Sequence, residues 1–229
     1  MSFEIIVFSR TAGFRHDSIG DGVRAVQWLG REHDFTVTAT EDAGLFTPDR
    51  LAEVAAVVFL NTSGEVLDAA QQRAFESYIG NGGGYVGVHA AATTGYSWPF
   101  YGRLVGAYFV DHPEVQRATI RVEDHDHPAT AHLGATWIRR DEWYNHRCSV
   151  RPAARVLLSV DEASYHGGTM GVDHPHAWCA EVAGGRSFYT AGGHTSESYD
   201  EPDFRTHLLG GIRWAAGGRS GVDDAPVAG

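Results

Sequence analysis

Gly-Gly-Gly-Tyr-Val-Gly-Val-His-Ala-Ala-Ala, residues 82–92, is the stretch that decides the fold. A glycine cluster leads into the apolar run 85–88, and the run ends at His89 with small residues after it. Continuous apolar runs are typical of strands that a parallel sheet buries on both faces. Gly87 and the alanines leave room for a sharp strand-to-helix turn, as in a nucleophile elbow. The residue exposed at this elbow would be histidine instead of serine or cysteine.

Working outward, apolar or alternating runs precede this strand. They are residues 4–9, 35–40 and 55–60, and the helical patterns between them are 19–31, 48–54 and 68–78. Ser18 and Asp68 stand where N-caps would begin two of these helices. The repeated strand–helix order predicts an α/β fold with a doubly wound, mainly parallel sheet.

The second half of the chain is less regular. Gly184-Gly185 predicts a hairpin between strands 178–182 and 187–191. Residues 203–216 are amphipathic and predict a closing helix. Because no linker or repeat is present, residues 1–216 are interpreted as a single domain and residues 217–229, rich in Gly, Asp and Ser, as a flexible tail.

The composition limits the partners. The net charge is −11 and the isoelectric point about 5.5, which argues against nucleic acid or an anionic membrane as partner. The chain has no lysine, so a lysine Schiff base and a P-loop lysine are excluded. Two cysteines, no leader pattern and no membrane-length apolar run predict a cytoplasmic protein. The oligomeric state stays open, a homo-oligomer included.

Thirteen histidines are the unusual feature of the composition. His16, His89 and His194 each follow a predicted strand, and carboxyl ends of parallel strands meet at one edge where ligands bind. The alternative for each is a hydrogen-bonded structural histidine. His112 precedes a proline that keeps it extended. His89, His112 and His194 are the candidate metal ligands, with zinc the expected type of ion, although no H-E-x-x-H motif is present.

Residues 141–145, Asp-Glu-Trp-Tyr-Asn, combine carboxylates, aromatic rings and an amide, a mixture suited to a sugar site. Glu142 could orient a histidine, as the carboxylate of a triad does, and Glu197 and Asp200 compete for that role. Asn61 begins a loop that could supply backbone donors beside His89.

Several stretches together resemble the ThuA-like (trehalose-utilisation) family, within the class I glutamine amidotransferase-like fold. They are residues 9–18, 58–64, 82–91, 109–113, 127–130, 141–144, 175–178, 185–194 and 204–214, with Pro202. The resemblance implies a flavodoxin-like sheet with an elbow after a central strand. In true glutamine amidotransferases the elbow carries a cysteine, whereas this chain has His89 there. Glutamine hydrolysis is therefore not expected, and the family implies a role in disaccharide or oxidised-sugar catabolism.

The leading hypothesis is a sugar- or keto-sugar-processing enzyme of lyase, hydrolase or isomerase type. His89 and His194 would act in acid–base chemistry or bind a metal, with Glu142 orienting one imidazole. The substrate would contact residues of the surrounding loops: His16, Asn61, His112, Trp143 and Tyr144. The rivals are a non-catalytic sugar-binding or regulatory protein and a metal-dependent hydrolase built on the same histidines.

Overall fold

The computed structural model describes residues 2–220. Within them, nine strands build the central sheet: β1 (Phe3–Phe8), β2 (Phe35–Thr40), β3 (Ala56–Leu60), β4 (Gly84–Val88), β5 (Gln116–Val122), β6 (Thr136–Asp141), β7 (Arg155–Val160), β8 (Pro175–Val182) and β9 (Gly185–Thr190). The α-helices of this range are α1 (Ile19–Glu32), α2 (Pro48–Ala52), α3 (Ala69–Gly80), α4 (Pro99–Val105) and α5 (Pro202–Ser220).

One half of the sheet is parallel and contains the first four strands. Its order is β2-β1-β3-β4-β9, and every neighbouring pair in this half runs parallel. The central position of β4 agrees with its apolar run, because all five of its residues are buried. This arrangement is compatible with a flavodoxin-like fold. The predicted α/β class is confirmed.

The other half of the sheet is antiparallel and continues from β9 in the order β8-β7-β5-β6. The hairpin expected at Gly184-Gly185 is present as β8 and β9. Strand β9 therefore pairs antiparallel with β8 and parallel with β4. This double role places the carboxyl end of β9 beside the carboxyl end of β4, where His194 and His89 follow.

The two faces of the sheet carry separate hydrophobic clusters. Along β1, Ile5 and Val7 belong to the cluster that includes Val26 and Leu29 of α1 and Leu208 and Ile212 of α5. The intervening residues of β1 belong to a second cluster that includes residues of α2, α3 and α4. This alternation follows from the two-residue period of a strand. Helices therefore cover both faces of the parallel half.

The helix ends confirm one expectation, at Asp68, and correct two, at Ser18 and at the end of α5. Asp68 forms a capping box with Gln71, as predicted. Ser18 precedes α1 but makes no side-chain cap; its hydroxyl donates instead to the Gly193 carbonyl, 3.3 Å away. Helix α5 continues to Ser220, so the tail expected at 217–229 begins inside the helix. Residues 221–229 lie outside the described residues.

None of the helices within residues 2–220 combines the length and the apolar character needed to cross a lipid bilayer.

Candidate functional site

His89 occupies the sharp turn that the sequence predicts after β4. Its backbone has a φ of +49°, in the left-handed region, and a short 3₁₀ turn (His89–Ala92) begins there. Hydrogen bonds to the backbone carbonyl and to the side chain of His89 hold this turn. Tyr189 donates its hydroxyl to the His89 carbonyl at 2.8 Å, and the His89 Nδ1 lies 2.7 Å from the Ala191 carbonyl oxygen. A carbonyl can only accept, so Nδ1 carries the proton and Nε2 faces the site.

Asp141 positions the loop that carries His194. The carboxylate is fully buried at the end of β6 and accepts the backbone N–H of Gly193 at 2.8 Å and of His194 at 3.1 Å. It also accepts the Ser198 hydroxyl at 3.1 Å and forms an ion pair with buried Arg139 at 3.1 Å. His194 is thereby held beside the end of β4.

Glu142 joins three imidazoles. Its Oε2 lies 3.4 Å from His89 Nε2 and 3.3 Å from His194 Nδ1, and its Oε1 lies 3.0 Å from His112 Nδ1. Burial opposes the charge on Glu142, but the contacts with the imidazoles of His194 and His89 outweigh it and lower the pKa of the carboxyl to about 2. Burial likewise disfavours the charged His194, yet its hydrogen bond to Glu142 prevails and raises the His194 pKa.

His16 completes the group from the loop after β1. Its ring packs edge-on against His89, with centroids 4.8 Å apart, and against His194 at 5.1 Å. Burial, followed by the charges of His89 and His194, lowers the His16 pKa to about 3, so the ring is neutral. Its Nδ1 is buried without a hydrogen-bond partner among residues 2–220. One donor atom from each of His16, His89, Glu142 and His194 lies within 4.8 Å of the others.

A cavity of about 350 Å³ opens onto this group. Its lining residues are Phe14, His16, Thr93, Phe109, His112, Glu142, Tyr144 and His194. The imidazoles and the carboxylate form a polar floor, and aromatic rings form the walls. Tyr144 also packs against the His89 ring, with centroids 4.1 Å apart. This combination of apolar walls and a few converging polar groups is typical of small-molecule sites.

Six of the eight predicted site residues come together at this place. They are His16, His89, His112, Glu142, Tyr144 and His194. The competing carboxylates of the sequence interpretation, Glu197 and Asp200, are not part of the group of donor atoms. His112 touches Glu142, but it lies outside that group, so the prediction that it is a metal ligand is not supported by its position.

Trp143 and Asn61 correct the sequence prediction, because neither lines the cavity. Trp143 is fully buried in the hydrophobic cluster that includes residues of α1 and α5, whereas Tyr144 belongs to the cluster on the other face of the sheet. The Trp143 Nε1 donates to the Gln116 carbonyl at 2.9 Å. Asn61 is also fully buried.

The Asn61 amide connects the loops around the site. Its Nδ2 donates to Ser18 Oγ at 3.2 Å and to the Gly193 carbonyl at 3.3 Å, while its Oδ1 accepts the Ala90 N–H at 3.4 Å. These bonds hold the turn after β4 against the loop of His194. Asn61 is therefore a positioning residue rather than a substrate contact.

Sequence reasoning missed Phe14, Thr93 and Phe109 in the walls and Asp141 with Arg139 in the framework. The sequence does contain a pattern that predicts the roles of Arg139 and Asp141. Arg139 and Asp141 are two residues apart on a strand, so they share one face, and that face also carries buried Trp137. Opposite charges on a buried face indicate a buried ion pair.

Comparison with known proteins gives the family. A family model for trehalose utilisation, ThuA, matches residues 4–215. The chain belongs to the ThuA family. A ThuA-like protein from Bacteroides uniformis has 25% identity and a TM-score of 0.82, covering 97% of this chain and 94% of its own. A ThuA-like protein from Parabacteroides merdae has 20% identity and a TM-score of 0.80, covering 95% and 91%. No curated protein sequence matches the chain.

A third structural neighbour shows the same fold within a larger enzyme. The β-galactosidase from Bacillus circulans matches with a TM-score of 0.61 and 12% identity over 97% of this chain, but only 32% of that enzyme is covered. The likeness extends to the fold alone.

The cysteines of this ThuA-family chain do not replace the missing elbow nucleophile. Cys179 is buried in β8 and Cys148 is exposed, and neither lines the cavity. His89 therefore stands at the elbow without a thiol beside it.

Proposed function

We propose that this chain is a cytoplasmic enzyme of sugar utilisation that binds a disaccharide or keto-sugar in the cavity and acts on it at the histidine–glutamate floor. The observation that carries the proposal is the cavity itself, which joins aromatic walls and a polar floor in about 350 Å³. A sugar presents apolar ring faces and polar edges, so it matches both surfaces at once. The trehalose-utilisation family supports a sugar as the substrate class.

The walls provide the ring-binding surface that the sequence interpretation assigned to Trp143 or Tyr144, and of these two Tyr144 lines the cavity. Phe14 is 71% exposed although it lies beside the cavity. Its loop is anchored: the Phe14 carbonyl accepts the Ser63 hydroxyl at 2.6 Å, and the Ala12 N–H donates to the Ser63 carbonyl at 2.7 Å. An exposed aromatic ring on an anchored loop is a surface prepared for a partner. Tyr144 and Phe109 stand among the other walls.

The floor provides the chemistry. Both partners of His112 Nδ1, the Glu142 carboxylate and the Pro113 carbonyl at 2.9 Å, are acceptors, so Nδ1 carries the proton. In the neutral ring, Nε2 of His112 is then the group that accepts a proton from a sugar carbon next to a carbonyl. Enolisation follows when the His194 imidazole, whose pKa is raised, donates a hydrogen bond to that carbonyl oxygen, and elimination follows when the enolate expels the glycosidic oxygen from the neighbouring carbon as the alcohol. Proton transfer beside a carbonyl is accordingly the reaction class proposed.

The test follows disaccharides and their chemically oxidised keto-derivatives by ¹H NMR with the purified protein. Phe14→Ala removes a ring face of roughly 60 Å² from the contact, about 1.5 kcal/mol, so KM rises about tenfold while kcat is kept. Val172→Ala is the matched control, since Val172 is 96% exposed and does not line the cavity. His112→Ala lowers kcat by at least about 100-fold.

Two results decide against this function. Sugar binding without turnover of any compound in the series would favour the rival, a sugar-binding or regulatory protein. An unchanged KM in Phe14→Ala, with turnover intact, would move the sugar ring away from this wall.

A further inference from the structure

We propose that the floor of the cavity is a binding site for a divalent cation of the zinc type, with His89 Nε2, His194 Nδ1 and Glu142 Oε2 as ligands and His16 beside a fourth position that stays open to a sugar oxygen. The inference deepens the proposed function and rests on it for the role of the ion, which would polarise the sugar oxygen. Ion binding itself needs no substrate, so it is tested separately.

The distances between the three donor atoms carry the inference. His89 Nε2 lies 3.3 Å from His194 Nδ1 and 3.4 Å from Glu142 Oε2, and His194 Nδ1 lies 3.3 Å from the same oxygen. The atoms thus form a nearly equilateral triangle. Ligands 2.0–2.1 Å from a tetrahedral zinc ion are separated by about 3.3–3.4 Å. The triangle therefore has the dimensions of one face of a zinc tetrahedron.

The hydrogen bond of His89 fixes which of its ring nitrogens faces the site. Because His89 Nδ1 donates to the Ala191 carbonyl, Nε2 is directed toward His194 Nδ1 and Glu142 Oε2. A cation inside the triangle would take this nitrogen as a ligand.

The groups behind the ligands support the same interpretation. A histidine ligand commonly donates its other N–H to a backbone carbonyl, as His89 does at 2.7 Å. A ligating carboxylate is commonly hydrogen-bonded through its second oxygen, as Glu142 is by His112 at 3.0 Å. Glu142 thus directs one oxygen to the ion and the other to His112, which leaves His112 outside the ligand set.

His16 supplies an independent sign of a missing partner. The residue is only 6% exposed, its ring is surrounded by His89 and His194, and its Nδ1 has no hydrogen-bond partner in the described part of the chain. An orphaned polar atom in a buried site calls for an unseen ligand.

The donor set indicates the type of ion. Two imidazoles and one carboxylate, with the His16 imidazole beside them, suit zinc better than calcium or magnesium, which prefer oxygen ligands. His16, Glu142 and His194 also line the cavity, so the ion would lie at its floor within reach of a sugar oxygen. The single negative charge of the ligands leaves the ion with net positive charge, as a Lewis acid requires.

The experiment measures metal directly. The full chain, purified without an affinity tag, is stripped with a chelator and titrated with zinc against a competing chromophoric chelator, and cobalt is used as a visible probe of geometry. Wild type is expected to bind one zinc per chain and to give the intense absorption of tetrahedral cobalt. His194→Ala and Glu142→Gln are expected to weaken binding by more than roughly 100-fold, and His112→Ala by about 10–100-fold.

His166→Ala is the matched control, because His166 is an exposed histidine outside the cluster. It is expected to bind zinc as wild type does. Circular dichroism confirms that each variant is folded, and His194, with a side chain 26% exposed, is the ligand whose loss should disturb the core least.

Each outcome decides one proposal. Zinc affinity that is absent in wild type, or equal in wild type and in folded His194→Ala and Glu142→Gln, overturns the cation site. Turnover of keto-sugars by metal-free protein overturns the role of the ion while the proposed function stands. Tight zinc binding without turnover of any sugar supports the site and removes the proposed function.

Discussion

Asp141→Asn is expected to destabilise the protein by about 4 kcal/mol, because the asparagine cannot satisfy the groups that the carboxylate now joins. Oδ1 accepts the N–H of Glu142 at 2.9 Å and of His194 at 3.1 Å. Oδ2 accepts the Gly193 N–H at 2.8 Å and the Ser198 hydroxyl at 3.1 Å. In either orientation, the amide nitrogen of asparagine would meet donors.

The magnitude follows from those partners. A buried donor without an acceptor costs about 1–3 kcal/mol, and at least one backbone N–H of Glu142, Gly193 or His194 loses its acceptor in each orientation. Arg139, whose side chain is 1% exposed, loses the charge of Asp141 at 3.1 Å and keeps only Glu201 at 3.2 Å. Breaking a buried ion pair costs about 3–5 kcal/mol, and retention of Glu201 reduces that amount. Together these losses come to about 4 kcal/mol.

The assay is equilibrium unfolding in urea, followed by tryptophan fluorescence and circular dichroism. Asp173→Asn is the matched control: Asp173 also pairs with an arginine, Arg151 at 2.7 Å, but its side chain is 37% exposed. The control is expected to lose less than about 1 kcal/mol. A loss below about 1 kcal/mol in Asp141→Asn, equal to that of the control, would refute the argument that this carboxylate organises the loop of His194.

Two further predictions concern the helix that closes the sheet. Gly210→Ala is expected to lower the free energy of unfolding by about 1–3 kcal/mol, because its Cβ would lie 2.3 Å from the Pro128 carbonyl oxygen, and this clash outweighs the helix propensity of alanine. Gly80→Ala, the matched control at the end of α3 with its nearest contact at 3.8 Å, should instead stabilise by up to about 1 kcal/mol, and urea unfolding of both variants checks the pair. His207 is fully buried, and burial lowers its pKa from 6.5 to about 3, so the unfolded state binds more protons between these values and stability falls as the pH falls through this window. His207→Gln is therefore expected to remove about 3 kcal/mol of the stability difference between pH 7 and pH 4, and an unchanged difference would contradict a neutral buried His207.

Local sequence was sufficient for the elements of the parallel half. Apolar runs and helical periods each involve a few neighbouring residues, so they predict β1, β3 and β4 without knowledge of the fold. Because carboxyl ends of parallel strands converge at one edge, the same reasoning placed His16, His89 and His194 together. The sequence also predicted Glu142 as a site residue, because a carboxylate beside aromatic residues suggested a sugar site.

The side on which each residue of the segment 141–145 lies was decided by tertiary structure. Adjacent residues of this segment have side chains on opposite sides, and both sides are covered by protein. Hydrophobicity alone therefore does not predict which of these residues face the cavity. Glu142 and Tyr144 line the cavity, while Trp143 is buried behind it and hydrogen-bonds to Gln116. A sequence pattern identifies the mixture of residues, but only the packing selects which of them meet a ligand.

Contacts between distant parts of the chain were likewise beyond local reasoning. Ser18 has the composition of a helix cap, yet its hydroxyl bonds to Gly193, 175 positions away. Asn61 joins the turn after β4 to the same loop. Sequence by itself therefore determined the strands and helices of the parallel half and the edge at which the histidines gather, since these depend on short-range periodicity. The triangle of donor atoms depends on three segments meeting within a few ångströms, and only the folded chain brings them to that distance.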